Sequence, residues 1–173
     1  MKSKAFVLSL LMIPLVGIGC GYTQKQILPN NIKTIYVDTV KNEIPLSAVY
    51  AYQPGLEMDI TNAIIRRFHI DGNVRVVSHE EADAILQTKL IGFEQEGLRF
   101  DSLESIEEYR LFVVVSFKLV DAKTHGVILE EPNFVGDTEY FVSSVRSLGR
   151  EEAAARAVQR LAKNVVDRIV EDW

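Results

Sequence analysis

A chain of 173 residues with 24 acidic and 19 basic side chains has the length of a single domain, and its balance argues against general nucleic-acid binding, which needs a concentrated basic face. One cysteine leaves no partner for an internal disulfide. The three histidines, His69, His79 and His125, stand without the short paired spacing of a zinc site.

The first segment concerns address rather than fold. Lys2 and Lys4 precede an apolar run from Ala5 to Ile18, and Gly17-Ile18-Gly19 leads into Cys20. This is the layout of a bacterial secretory signal with a cysteine at the cleavage point. It is similar to a lipobox, in which the thiol is diacylated and the chain is cut before the cysteine, although Gly17 stands where an aliphatic residue is usual. The run is shorter than the ~20 apolar residues of a spanning helix, and Pro14 interrupts it. The expected organisation is a signal peptide over 1–19, a lipidated tether over 20–31 and one domain over 32–173. Each buried methylene contributes about 0.8 kcal/mol, so several acyl chains on Cys20 would hold that domain on a membrane. Loss of Lys2 and Lys4 leaves 17 basic against 24 acidic side chains, a formal −7, and lipidation of Cys20 removes the only thiol nucleophile.

Alternation predicts a first strand over Ile32–Val40 with Lys33, Ile35, Val37 and Thr39 on one side. Residues 41–53 read as a loop whose Val49, Tyr50 and Tyr52 are placed to pack on the domain. Pro54 suits a helix start. Leu56, Ile60, Ala63, Ile64 and Phe68 follow at helical spacing, and Asp71-Gly72-Asn73 is a turn. A short strand (Val74–Val77), a turn (Ser78–Asp83) and a longer strand (Ala84–Phe93) come next.

Glu94, Glu96, Asp101, Glu104, Glu107 and Glu108 then mark an acidic loop, read as solvated because the calcium-loop pattern is absent. Tyr109–Val120 is the clearest strand, with Tyr109, Leu111, Val113, Val115, Phe117 and Leu119 sharing one face. Asp121–Gly126 connects it to a strand over Val127–Phe141, where Pro132 demotes the middle to an edge or a bulge. Arg150–Glu171 is a long amphipathic helix with Ala154, Val158, Leu161, Val165 and Ile169 in one stripe.

Each helix needs a surface to cover. The expected fold is therefore α+β, a mixed and mainly antiparallel sheet of four to five strands with two helices packed on one face. The other face would then partly expose Phe112, Val114 and Val120 beside Arg110 and Lys118, a mixture suited to a lipid or protein partner. No GxSxG elbow is present, and Gly17, Gly19 and Gly21 lack the flanking strand and helix of a phosphate loop. No enzyme, cofactor or metal is expected.

Several short motifs occur in a telling order. Cys20-Gly21-Tyr22 opens the mature chain, followed by Ile32-Lys33-Thr34-Ile35-Tyr36-Val37 with Asn42 beyond it. Ala82-Asp83-Ala84-Ile85-Leu86 leads into the next strand, and the long strand, the return at Gly126 and the last helix complete the series. This order resembles the LptE family of lipopolysaccharide-assembly lipoproteins over essentially the whole mature chain. The resemblance implies an outer-membrane lipoprotein, anchored at the periplasmic face, that sits in the lumen of an LptD-type β-barrel as plug and assembly factor. It also implies lipopolysaccharide as a ligand, with Lys89, Arg110 and Lys118 as candidate contacts. Gly21 is not the Asp that retains lipoproteins at the inner membrane of enteric bacteria, in keeping with outer-membrane sorting.

Two other envelope classes share the Ala-Asp element. An activator of a peptidoglycan synthase would favour a longer tether than the ten or so residues after Cys20. A secretion-channel component would show paired barrel-wall strands, which are not evident.

Overall fold

The computed structural model describes residues 32–45, 53–142 and 149–171. Cys20, Gly21 and Tyr22 lie outside these, as does the 46–52 stretch with Val49, Tyr50 and Tyr52.

The strand expected over Ile32–Val40 is two short ones. Strands β1 (Thr34–Val37) and β2 (Lys41–Asn42) both run parallel to the same neighbour, Ala84–Phe100. Between them Val40 turns into the core, and its N–H donates to Thr61 Oγ1 at 3.0 Å instead of joining the ladder. Helix α1 (Leu56–Asp71) starts just after Gly55, which caps it at φ 92°, so it begins two residues beyond Pro54. It buries Leu56, Ile60, Ala63, Ile64 and Phe68, the residues at helical spacing. Gly72 at φ 76° stops it by donating its N–H to the Phe68 carbonyl at 3.0 Å. The two-residue β3 (Arg75–Val76) then returns parallel to β1.

A 3₁₀ turn (His79–Glu81) leads to Asp83, the hinge between β1 and the long meander. Its carboxylate accepts the Lys33 and Thr34 N–H groups, both at 3.1 Å, and the Thr34 hydroxyl at 2.9 Å. Its own N–H donates to Thr34 Oγ1 at 2.9 Å. Burial pushes this carboxyl up, but those hydrogen bonds outweigh it and hold Asp83 below the usual carboxylate range.

The meander consists of β4 (Ala84–Phe100), β5 (Ile106–Asp121) and β6 (Val127–Phe141), all antiparallel. It overturns the loop expected over 94–108: pairing continues to Phe100↔Ile106, and only residues 101–105 turn. Glutamate disfavours strands on average, but here the partner strand is already aligned and Asp101 closes the turn. Asp101 Oδ1 accepts the N–H groups of Leu103 (2.7 Å) and Ser105 (2.9 Å). A bulge at Ile91, where register passes from Leu90↔Val115 to Gly92↔Val114, lets Leu90 and Phe93 both face the core.

Helix α2 (Arg150–Glu171) lies against β5 and β6 with its predicted stripe fully buried. Gly136 sets how close it comes: a Cβ there would stand 2.4 Å from Leu161 Cβ and 2.6 Å from the Ala157 carbonyl oxygen. Arg67 on α1 bridges to Asp167 on α2 at 2.9 Å. Among the described residues the sheet has six strands, slightly more than expected, in the order β3-β1-β4-β5-β6 with β2 beside β4. The α+β class and the two-helix layer on one face hold.

Candidate functional site

The helix-covered face of β5 buries Leu111, Val113, Val115, Phe117 and Leu119 completely. The opposite face leaves Arg110, Phe112, Val114, Ser116 and Val120 half-buried and Lys118 exposed, as the alternation predicted. On this open face, near the β6 edge, lies a groove of about 510 Å³ lined by Gln87, Lys89, Ser116, Phe117, Lys118, Glu130, Glu131 and Pro132.

Pro132 marks the point where the groove opens. It has no N–H for the ladder, and register passes from Val115↔Phe134 to Phe117↔Glu131, so Pro132 and Asn133 together oppose Ser116. The sequence expectation of an edge strand or a bulge at Pro132 is met on both counts. Lys89 lies opposite Ser116, and Lys118 lies opposite Gln87 and Glu130, so cross-strand pairing places the two lysines in one groove.

Arg110 is elsewhere. It sits eight residues along β5 from Lys118, roughly 26 Å at the usual rise per residue. Each candidate cation also has a carboxylate beside it: Lys89 with Glu43 at 2.9 Å, Lys118 with Glu130 at 2.8 Å, and Arg110 with Glu139 and, at 3.6 Å, Asp137. The hydrogen bond to Glu139 is the main reason the Arg110 guanidinium is held above its ordinary value. Sequence reading found the three cations but not their acidic partners, which come from the residue after β2 and from β6. Cross-strand register is the only signal that would have paired them.

The second exposed feature was not foreseen. Beyond Phe93, β4 and β5 run on as an arm, most of whose side chains are exposed or half-buried. β6 accompanies β5 past the stacked rings of Tyr109 and Tyr140 (centroids 5.7 Å apart) as far as Glu108↔Phe141, and only the end near Phe100↔Ile106 is two-stranded. Arg150, at the start of α2, lies over the Phe93 ring at 5.6 Å, so the helical layer begins where the arm departs. Near the arm's end Leu98, Phe100 and Leu103 are exposed, Leu103 to 83%. Among the described residues no three His, Cys, Asp or Glu side chains could together hold a metal ion, the acidic arm included. No described helix is long and apolar enough to cross a membrane.

The order of elements and the open sheet face can now be set beside known proteins. A model of the LptE lipopolysaccharide-assembly family matches residues 32–172. The chain belongs to that family. No curated protein matches it. Among solved structures, a hypothetical protein from Chlamydia trachomatis is similar with a TM-score of 0.53 at 14% identity, covering 79% of this chain and 95% of that one. An uncharacterized lipoprotein B from Nitrosomonas europaea gives 0.52 at 17% identity over 86% of each chain. A protein from Xanthomonas campestris gives 0.53 at 14% identity over 78% of this chain and 81% of its own. At these identities the three share the fold with this LptE-family chain. Membership in the family makes it a lipopolysaccharide-assembly protein of the lipoprotein type.

Proposed function

We propose that this LptE-family chain is anchored through Cys20 to the periplasmic face of the outer membrane and seats in the lumen of an LptD-type β-barrel. There it acts as plug and assembly factor and assists lipopolysaccharide insertion in the outer leaflet. The family match across residues 32–172, the whole folded domain, carries this reading. Barrel lumens of that kind are polar, and the open sheet face with its cross-strand ion pairs is suited to such a wall. Gly21, next to the lipidated cysteine, supports outer-membrane sorting.

Within this reading, Lys89 and Lys118 in the groove are the proposed contacts for the glycolipid's phosphates. Their side chains are about half exposed, and exposed ion pairs contribute only about 0–1 kcal/mol. A phosphate can therefore replace Glu43 or Glu130 at little cost. Arg110, held by Glu139 and Asp137 on the arm side, is assigned to bracing β5 against β6 instead.

Purification of the full-length protein from its own envelope in mild detergent, with mass spectrometry of what accompanies it, tests the reading. A large outer-membrane barrel in near-equal amount supports it. A cell-wall synthase, or a ring of the chain itself, overturns it. Lys89→Glu with Lys118→Glu is expected to weaken lipopolysaccharide binding by about tenfold or more while leaving the fold intact, since charge-assisted contacts to ionised groups contribute about 1.5–3 kcal/mol each. Unchanged binding removes both lysines from the site.

A further inference from the structure

We propose that the projecting β4–β5 arm, residues 94–108, is the element that docks on a cationic protein surface, its apolar tip entering a recess there. The inference deepens the plug reading and rests on it: the cationic surface belongs to the barrel.

Three observations on the arm point this way. The first is its isolation. From Glu94 to Phe100 the arm extends about 20 Å past the Phe93–Arg150 contact at the usual rise per residue. The segment leaves most side chains of both faces open. β6 pairs with β5 only as far as Glu108↔Phe141, so the end of the arm about the 101–105 turn stands as two strands, marginal by themselves in water, with no helix over them.

The second is the tip. Leu98, Phe100 (57% exposed) and Leu103 gather at the arm's end. Phe141 and Val142, also exposed, run beside β5 close to that end, where the Val142 N–H donates to the Glu107 carbonyl at 2.9 Å. Single exposed apolar residues are ordinary, whereas a group at the end of a projecting element marks an interaction site.

The third is the charge. Residues 94–108 hold six carboxylates against one arginine, Arg99, a formal −5 that equals the net charge of the entire chain. Glu108 has a salt bridge to Arg99 at 3.5 Å, and Glu96 stands opposite Arg110, which is itself held by Glu139 and Asp137. Neighbouring charges along a strand fall within the Debye length of about 8 Å at physiological salt, so they act together. Such a field repels a phosphorylated glycolipid and an anionic bilayer surface, both of which attract lysine and arginine. It favours a basic protein surface. The arm and the lysine groove are thus two sites of opposite chemistry, about 36 Å apart along β4 from Lys89 to Phe100.

The test uses the full-length lipidated chain in detergent with the LptD-type barrel purified from the same envelope. One variant replaces Phe100 and Leu103 by Ser. A second replaces Glu94, Glu96, Glu104 and Glu107 by Gln, which removes charge with little demand on folding. Both are expected to weaken barrel binding roughly tenfold or more, as loss of hot-spot groups does. Unchanged thermal midpoints and a wild-type complex that loosens with rising salt complete the expected result. Vesicles of phosphatidylethanolamine and phosphatidylglycerol, with and without lipopolysaccharide, are expected to bind all three chains equally. Variants that hold the barrel like wild type overturn the inference and leave the plug reading standing. Selective loss of vesicle binding by the tip variant overturns it in favour of a lipid-inserting arm. Failure of the wild-type chain to hold the barrel overturns the plug reading itself.

Discussion

Asp83 ties three parts of the chain together, and its chemistry explains the Ala82-Asp83 motif in purely structural terms. One carboxylate oxygen accepts the N–H groups of Lys33 and Thr34 and the Thr34 hydroxyl, and the Asp83 carbonyl accepts the Ala122 N–H at 2.9 Å. The start of β1, the start of β4 and the end of β5 are joined at this one residue. Replacing it by Ala strips the partner from two backbone donors, and hydrogen bonds to charged groups contribute about 1.5–3 kcal/mol. Asp83→Ala is expected to lower stability by about 2 kcal/mol in urea unfolding, and Asp83→Asn by less, because the amide oxygen still accepts. A midpoint unchanged by the Ala substitution would show that β1 is held by its ladder alone. The motif was legible in the sequence as a pattern; its hydrogen bonds, to residues some fifty positions earlier, were not.

At the scale of elements, legibility followed burial. The limits of β6 and α2 and the buried stripe of α1 were readable because one face of each packs against the core, which imprints a period on the sequence. Of the arm's residues 94–108 only Glu108 is buried, so little imposed an apolar alternation on it, and its glutamates read as solvated loop. What makes it a strand pair is the continuing ladder with the aligned partner. The groove shows the same limit: Pro132 announced a bulge, but the approach of Lys89 to Lys118 depends on a register that no local pattern contains. Because the arm contributes little to the core, it is expected to be dispensable for folding. Replacing residues 98–107 by a short Asn-Gly turn keeps the stacked Tyr109–Tyr140 pair and the Phe93–Arg150 contact. The thermal midpoint of that variant is expected to stay within a few degrees of wild type, as a change below about 0.5 kcal/mol implies. A collapse in scanning calorimetry would mean that the arm helps to hold the meander.

For the molecule as a whole, carboxylates set the response to pH. Asp83, Asp121 and Asp167 all titrate below their ordinary range in the folded chain. For Asp121 the cause is the N–H groups of Thr124 and Lys123, which close the β5–β6 turn. For Asp167 burial pushes the carboxyl up, and the hydrogen bonds from Lys163 and Arg67 more than reverse it, locking α1 to α2. A group whose folded value is depressed binds fewer protons when folded, so folding gains from it above the unfolded value. That gain is fully present above about pH 4, the unfolded aspartate value, and is lost as pH falls through the lower folded values. Stability is thus expected to be flat from neutral pH to about pH 5 and to fall steeply below pH 4. The three aspartates lie at the β1–β4 junction, the β5–β6 turn and the helix–helix contact, so their loss loosens sheet and helices together. Melting curves from pH 7 to pH 3 check this, with the Asp83→Asn, Asp167→Asn double variant expected to start lower and fall less. A double variant that keeps the full wild-type slope would place the acid sensitivity in other groups.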